Sequence, residues 1–443
     1  MVHKPDRLQL FPDTTTIQND SLNIGGQDLT ALVERYGTPL YVYDRLTMDE
    51  AARRYRAALK THYPAAASIT YAGKAFLCKA IAEWAGQQGF QVDCTGEGEI
   101  AIAVAGRLPP SGIVAHGVNK SPADLEAAAQ HAGTIVVDNL SELRELPNVL
   151  RGQGQGRSGR AAPLVWLRLQ PGAAVQTHHA HTQTGQTDSK FGMTAGEMLE
   201  AAELARSAGI PVNGIHFHQG SNFRDTSPLM KAIELALRLA KEMRLPEAWH
   251  FCPGGGWGAA YHEDELPQPD IAKYVGVIAR EVTKRCRLSG LPLPTLHVEP
   301  GRSLVARAGV AVYRVGAVKR RKQRTWLLVD GGMADNPRHA LYGARYSCLP
   351  VKGLGRDMTE TVSIAGPFCE SGDVLIEDLL LPRIEEGELL AVPVSGAYQL
   401  SMASNYNGAR RPAAVWIERG RSRLILRRET TEDLSHRQLS IMQ

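Results

Sequence analysis

The sequence predicts an α/β protein: a (β/α)8 barrel plus a mostly-β domain built from the C-terminal part of the chain and its N-terminal segment. Three observations predict it. Between about residues 49 and 299, eight short β-branched runs alternate with amphipathic helical patterns, and eight strands over roughly 250 residues is the arithmetic of such a barrel. Lys74, Asp93, His116, His218, Gly254, Gly255, Gly256 and Glu299 all fall at or just past the C-terminal ends of these runs, and in a barrel those ends converge on one mouth. After Arg302 the alternation stops and strand-like runs follow one another with little helix between them.

The expected barrel strands are residues 68–72, 90–93, 112–116, 134–138, 164–169, 214–218, 248–251 and 295–299. Helical patterns separate them at 77–88, 97–105, 122–131, 140–150, 195–207, 228–243 and 271–285. The sixth helix is the clearest. Thr226 and Ser227 offer a cap, Pro228 suits the first turn, and Leu229, Ile233, Ala236, Ala240 and Met243 repeat on one face. A doubly wound open sheet also alternates strand and helix, so the placement of the unusual residues decides for the barrel. Beyond it, strands are expected at 310–318, 325–329, 362–365, 389–393, 415–418 and 423–426. Residues 39–43 are a further strand, expected to pair with this C-terminal set. The domains are therefore expected at 46–305 for the barrel, with 1–45 and 306–443 forming the β domain.

Composition bounds the rest. The 443 residues exceed one average domain of roughly 100–200, and a net charge of +4 argues for no nucleic-acid partner. The densest cationic run, 319–324, sits between two strand patterns and reads as a solvated hairpin turn. The polar, glycine-rich stretch 151–160 reads as a mobile loop. Cys78, Cys94, Cys252, Cys286, Cys348 and Cys369 form no C-x-x-C pair, which fits a reducing compartment. With no apolar leader and no apolar run near 18 residues, neither secretion nor a membrane is expected, and the expected location is cytoplasmic.

Lys74 follows the first strand. A strand-end lysine is ordinarily a solvated charge, but at a barrel mouth desolvation lowers its pKa and frees a neutral amine to condense with an aldehyde. Gly254, Gly255 and Gly256 follow the seventh strand. Flexible loops also carry such runs, yet this is where barrels often hold phosphate. After the eighth strand, Glu299 is an acid in need of a positive partner, and Arg302 a fork for phosphate or carboxylate. Alternation points His216 and His218 to one side of the sixth strand. A structural histidine is the plain reading, and for His218, nearer the mouth, a flat ring stacked on an aromatic cofactor is the other. Ser221 is placed to bond a phosphate oxygen.

In combination these blocks resemble the diaminopimelate decarboxylases, which belong to the alanine-racemase-like class of pyridoxal-phosphate enzymes. The resemblance runs from about Tyr41 to Arg411. It rests on YAGKAF, HGVNKS, DSKFGM, HFHQGSN, GGGWG, EPGRS, DGGM, CESGD and GAYQLSMASNYN, in that order. It implies pyridoxal 5'-phosphate as cofactor, attached to Lys74 and stacked on His218. Ser221, Gly254, Gly255, Gly256, Gly301 and Arg302 would hold its phosphate, and Tyr398 would close the site. Glu299 would pair with the pyridine nitrogen and keep it protonated, making the ring an electron sink. Arg302 and Tyr398 would also reach the substrate. Arg338 and Tyr342 resemble the binders of its distal carboxylate, a task suited to a planar guanidinium. CESGD resembles a loop that enters the partner subunit's site in a homodimer, with Cys369 donating a proton to Cα and Glu370 meeting the distal ammonium. The implied reaction is decarboxylation of meso-2,6-diaminopimelate at its D-centre to L-lysine and CO2, the last step of lysine biosynthesis.

The chain departs from the family pattern at Phe76, where many relatives carry asparagine, and at Asn222, where relatives carry glutamine. Pro253 and Trp257 flank the three glycines in place of the commoner DLGGGLG. None of these removes a catalytic group. His178, His179 and His181 invite a metal reading, but no acid or cysteine stands near them in the chain and no metal is expected. The alternatives are a same-fold decarboxylase for D-lysine, D-ornithine, arginine or carboxynorspermidine, a racemase, and a non-catalytic regulator. The first would differ at Arg338, Tyr342 and Glu370. Cys369 argues against the second, and Lys74, Glu299 and Cys369 together against the third.

Overall fold

The structure, a computed structural model, describes residues 7–152, 162–172 and 188–441. Of the glycine-rich stretch, Arg151 and Gly152 end a helix, and the remainder lies outside the described residues, as do His178, His179 and His181. The chain divides into two compact units. One comprises Ala52–Gly258 and Asp270–Ser303, the other Met1–Ala51, Ala259–Pro269 and Leu304–Gln443.

In the first unit eight parallel strands close into a barrel. They are Ala67–Ala72, Gln91–Thr95, Ile113–His116, Thr134–Val137, Leu164–Arg168, Val212–His216, His250–Cys252 and Thr295–Val298, each hydrogen-bonded to the next. The eighth pairs back on the first, with Leu296 opposite Ala67. Ile113–His116 and Thr134–Val137 are buried at every position, as strands covered on both faces must be. Val114, Val136, Trp166 and Cys252 pack together from four different strands. The expected strands recur within a few residues. The seventh is displaced toward the C-terminus, so Pro253 and the glycines follow it directly.

The helices between the strands start where side chains satisfy free backbone N–H groups. Ser121 and Asp124 form a capping box before Pro122–His131, and Thr194 and Glu197 another before Ala195–Ser207. The cap expected at Thr226 is not made. Asp225 Oδ1 instead accepts the Ser227 N–H at 3.0 Å, and Pro228 sits in the first turn of Ser227–Glu242. That helix buries Leu229, Ile233, Ala236 and Ala240, the face its periodicity predicts.

In the second unit the N-terminal strand Leu40–Asp44 lies inside the C-terminal sheet. It pairs antiparallel with Gly309–Arg320, Val42 opposite Val310, and parallel with Ala413–Glu418, Val42 opposite Val415. All five of its residues are buried. Leu40 and Val42 join a core with Leu22, Ile24, Val312 and Ile417, whereas the Tyr41 hydroxyl donates to buried Asp335 Oδ2 at 2.9 Å. The cationic run closes a hairpin into Thr325–Val329, where the Arg321 N–H meets the Arg324 carbonyl at 3.0 Å and Arg320 pairs with Glu360. A small sheet of Thr16–Gln18, Ser21–Ile24 and Gln27–Asp28, and the strand Val374–Leu381, were not expected. In the small sheet Thr16–Gln18 is short and exposed, and Val374–Leu381, VLIEDLLL, has no period of two to read. Helix Arg45–His62 was also missed, because its buried Met48, Ala52, Tyr55 and Leu59 are thinly spread among charges. No helix among the described residues is long and apolar enough to cross a membrane.

Candidate active site at the barrel mouth

The first, second, third, sixth and eighth strands deliver ionisable groups to one end of the barrel. Lys74 lies in the short turn Gly73–Ala75, and its Nζ is 3.2 Å from Asp93 Oδ2 at the end of the second strand. Its side chain keeps 43% exposure while Asp93 keeps 2%. The Lys74 amine thus faces a buried carboxylate at the barrel mouth.

Glu299 ends the eighth strand deep in the barrel. Its Oε2 is 2.9 Å from His216 Nε2, and its Oε1 lies 3.2 Å from His116 Nε2. Burial pushes against ionisation, but the two imidazoles outweigh it and hold the Glu299 carboxyl well below the usual range. Burial also drives His216 down to about 4 despite that carboxylate, and its Nε2 makes the hydrogen bond to Glu299. Asp93 Oδ1, Glu299 Oε1 and His116 Nε2 are buried and have no well-aligned hydrogen bond among the described residues. Such orphaned atoms mark a place for a polar guest. His116, His216 and Glu299 bring three metal-type ligand atoms within 4.8 Å, but Glu299 and His216 already satisfy one another.

His218 stands two residues past the sixth strand. Its Nδ1 accepts the Gly255 N–H at 3.3 Å, which leaves the ring proton on Nε2. Burial, with Lys74 and Arg168 nearby, keeps it well below its ordinary pKa and hence neutral. The glycines have a reason beyond anion approach. A Cβ on Gly255 would collide with the Glu299 carbonyl oxygen, and one on Gly256, at φ +99°, with the Gly220 carbonyl oxygen. The glycine loop is thus wedged between HFHQGSN and EPGRS. A Cβ on Gly301 would press on Ala72 and Ala75 at 3.0 Å. Arg302 is buried, and its Nη2 donates to Ser221 Oγ at 3.0 Å. A hydroxyl, a guanidinium and a glycine loop in one place can hold an anion.

The departures are accommodated structurally. Trp257 stacks on Tyr274 at 4.8 Å, and the Tyr274 hydroxyl donates to the Gly255 carbonyl at 3.4 Å, bracing the loop. Asn222 adopts φ +63°, a conformation asparagine tolerates. Phe76 is buried, and its carbonyl accepts from the Tyr71 hydroxyl at 2.6 Å.

Several mouth residues received no role from sequence: Asp93, His116, His216, Asp138 and Arg168. Arg168 pairs with Asp138 at 3.1 Å, both buried, and Asp138 also accepts the Gly192 N–H of DSKFGM. Their strand-end positions were the available signal. Lys120 of HGVNKS is structural: its ammonium is buried on Glu142 and on the carbonyls of Gly117 and Val136.

The second unit ties its own motifs together. Asp373 accepts N–H groups from Met333 and Phe368, fixing the CESGD loop to DGGM. The Cys369 N–H donates to Asn407 Oδ1 at 2.8 Å, and the Ser404 N–H to the Ala334 carbonyl at 2.8 Å. Cys369 is exposed, and Glu370 Oε1 accepts the Gly372 N–H. Arg338 is buried over the Tyr261 ring at 4.3 Å, and its Nη1 donates to the Tyr346 hydroxyl at 2.6 Å. Tyr342 ends the same short helix, Arg338–Tyr342, and is partly buried. Tyr398 holds φ +58°, a strained conformation for a bulky residue and the kind that marks functional sites.

The family model for the pyridoxal-dependent decarboxylases, pyridoxal binding domain, matches residues 48–306. The chain is 40% identical to the diaminopimelate decarboxylase of Bacillus subtilis, over 94% of this chain and 95% of that one. It is 39% identical to that of Synechocystis sp., over 96% and 92%. The crystal structure of diaminopimelate decarboxylase from M. jannaschii in complex with L-lysine matches with a TM-score of 0.88 at 30% identity, covering 97% of this chain and 98% of that one. The match at the barrel and relatives of one kind along nearly the whole chain agree: the chain belongs to the diaminopimelate decarboxylase family of pyridoxal-dependent decarboxylases.

Proposed function

We propose that the chain uses pyridoxal 5'-phosphate to decarboxylate meso-2,6-diaminopimelate at its D-centre, giving L-lysine and CO2. The observation that carries this is the barrel mouth itself. An amine on a buried carboxylate, a deeply buried ionised glutamate and a serine–arginine pair beside a glycine loop converge there, in a chain whose long relatives are diaminopimelate decarboxylases. The residues fit the cofactor: Lys74 would hold its aldehyde carbon, and Ser221, Gly254, Gly255, Gly256, Gly301 and Arg302 its phosphate. His218, neutral and flat, would lie against its ring, and Glu299 would meet its nitrogen.

When bound there, pyridoxal phosphate supplies an electron-withdrawing ring that stabilises the charge left on Cα as CO2 departs. Glu299 keeps a positive charge at the ring nitrogen favourable, because the carboxylate is already ionised in the folded chain. Asp93 holds the Lys74 amine in place before attachment. Arg338 and Tyr342 would bind the substrate's distal carboxylate and Glu370 its distal ammonium, while Arg302 and Tyr398 would also contact the substrate. Cys369 would pass its thiol proton to Cα, where the C–H bond replaces the lost C–CO2 bond. We assign these roles within a cytoplasmic homodimer whose CESGD loop completes the partner's site.

A substrate panel tests the reading. The holoenzyme should release CO2 and L-lysine from meso-diaminopimelate and turn over D-lysine, D-ornithine and L-arginine poorly. Faster decarboxylation of D-lysine or D-ornithine would refute the substrate and leave the cofactor assignment standing.

A further inference from the structure

We propose that Tyr346 and Gln399 are positioning residues that aim Arg338 at the substrate's distal carboxylate and so set the preference for a dicarboxylic substrate. This rests on the assignment of Arg338 made above.

Arg338 is only 5% exposed, and among the described residues no carboxylate pairs with it. A buried guanidinium without a counter-ion is costly, and here two aromatic rings and one hydroxyl partly offset the loss. The Tyr261 face lies 4.3 Å and the Tyr346 ring 5.6 Å from the guanidinium carbon. One hydrogen bond, Nη1 to the Tyr346 hydroxyl at 2.6 Å, fixes its in-plane rotation. Arginine carries five N–H donors, so most of the fork remains for a guest anion.

Tyr346 is itself held. Its ring meets Tyr261 edge-on at 5.3 Å, and its hydroxyl accepts Gln399 Nε2 at 3.0 Å. Gln399 follows Tyr398 in the strained turn of GAYQ. The hydroxyl of Tyr346 therefore links two segments that carry proposed substrate contacts, and sets the in-plane angle at which the guanidinium fork presents its remaining N–H groups. A bidentate grip on a carboxylate depends on that angle. Packing alone does not require the hydroxyl, since phenylalanine would fill the same volume and keep the contact with Tyr261.

The test uses steady-state kinetics of the holoenzyme on meso-diaminopimelate and on D-lysine, which lacks the distal carboxylate. Tyr346→Phe should raise KM for meso-diaminopimelate roughly 10- to 100-fold, the scale of one hydrogen bond to a charged group, with kcat changed less than about threefold. The kcat/KM for D-lysine should stay level, so the preference falls by the same factor. Gln399→Leu should shift the preference the same way by less. Arg338→Ala combined with Tyr346→Phe should lose no more than Arg338→Ala alone, because the tyrosine acts through the arginine. Cofactor absorbance and thermal midpoint, read on each variant, separate this from general unfolding. An unchanged preference in both Tyr346→Phe and Gln399→Leu, or additive losses in the double variant, overturns the proposal while Arg338→Ala still reports on the substrate. If Arg338→Ala itself leaves the preference intact, the assignment of Arg338 fails and the positioning role falls with it.

Discussion

Glu299 Oε2 lies 2.9 Å from His216 Nε2, and neither side chain is more than 3% exposed. An acid this deep would ordinarily take up a proton to escape its desolvation cost. The imidazole N–H prevents that and keeps an ionised carboxylate ready for a cationic ring nitrogen.

Replacing the charge while keeping the shape should therefore damage the chemistry more than the fold. Glu299→Gln is expected to bind the cofactor, since the phosphate groove and Lys74 are untouched, yet to lose about 100- to 1,000-fold in kcat, the scale of one preorganised electrostatic group. The thermal midpoint should fall modestly, because the His216 and His116 contacts that favour the ionised carboxylate are weakened, while cofactor absorbance should persist. A kcat within tenfold of wild type would mean that Glu299 does not serve the ring nitrogen.

Lys74 is expected to be the point of cofactor attachment. The purified protein should be yellow, and borohydride should bleach the band. Peptide mass spectrometry should then place the reduced adduct on Lys74. Recovery of the adduct on neighbouring Lys79 would move the site.

Asp335 provides a pH signature in stability rather than in catalysis. It is fully buried and accepts the Tyr313 hydroxyl at 2.7 Å and the Tyr41 hydroxyl at 2.9 Å. Burial nevertheless raises its pKa from 3.8 to about 6. The folded chain thus holds a proton that the unfolded chain releases earlier. The associated stability is complete below pH 4 and is lost as pH rises to about 6 and beyond. The loss is about 3 kcal/mol at 1.36 kcal/mol per unit. Asp335→Asn should flatten the thermal midpoint between pH 4 and 7 relative to wild type. Parallel curves for the two proteins would show that Asp335 does not titrate in this window.

Subunit sharing is testable by mixing two dead variants. If Cys369 serves the partner's Lys74, then Lys74→Ala and Cys369→Ala should complement each other after subunit exchange. Random pairing gives hybrids with one intact site, so activity near roughly a quarter of wild type is expected. Proven exchange without recovery would put both residues in one chain's site.

The barrel was legible because each of its elements carries a local signal. Apolar runs such as 113–116 and 134–137 are buried on both faces, and helix Ser227–Glu242 repeats its buried face every turn. The placement of Leu40–Asp44 in the C-terminal sheet was legible too, because a short β-prone run needs partners. Lys74, Glu299, Arg302 and the glycines stood out because strand ends and motif order announced them. The sheet near Thr16 and the strand Val374–Leu381 did not, since neither carries a period that distinguishes strand from loop or helix. The sequence by itself thus determined the barrel, the family and the residues at the strand ends. Only the tertiary structure decided how those residues are electrically set. Asp93 on Lys74, His216 and His116 on Glu299, Gly255 against Glu299, and Tyr346 on Arg338 are contacts between residues far apart or turned toward one another by the fold. Burial and hydrogen-bond geometry fix protonation and orientation, and neither is a property of any residue until the chain has closed around it.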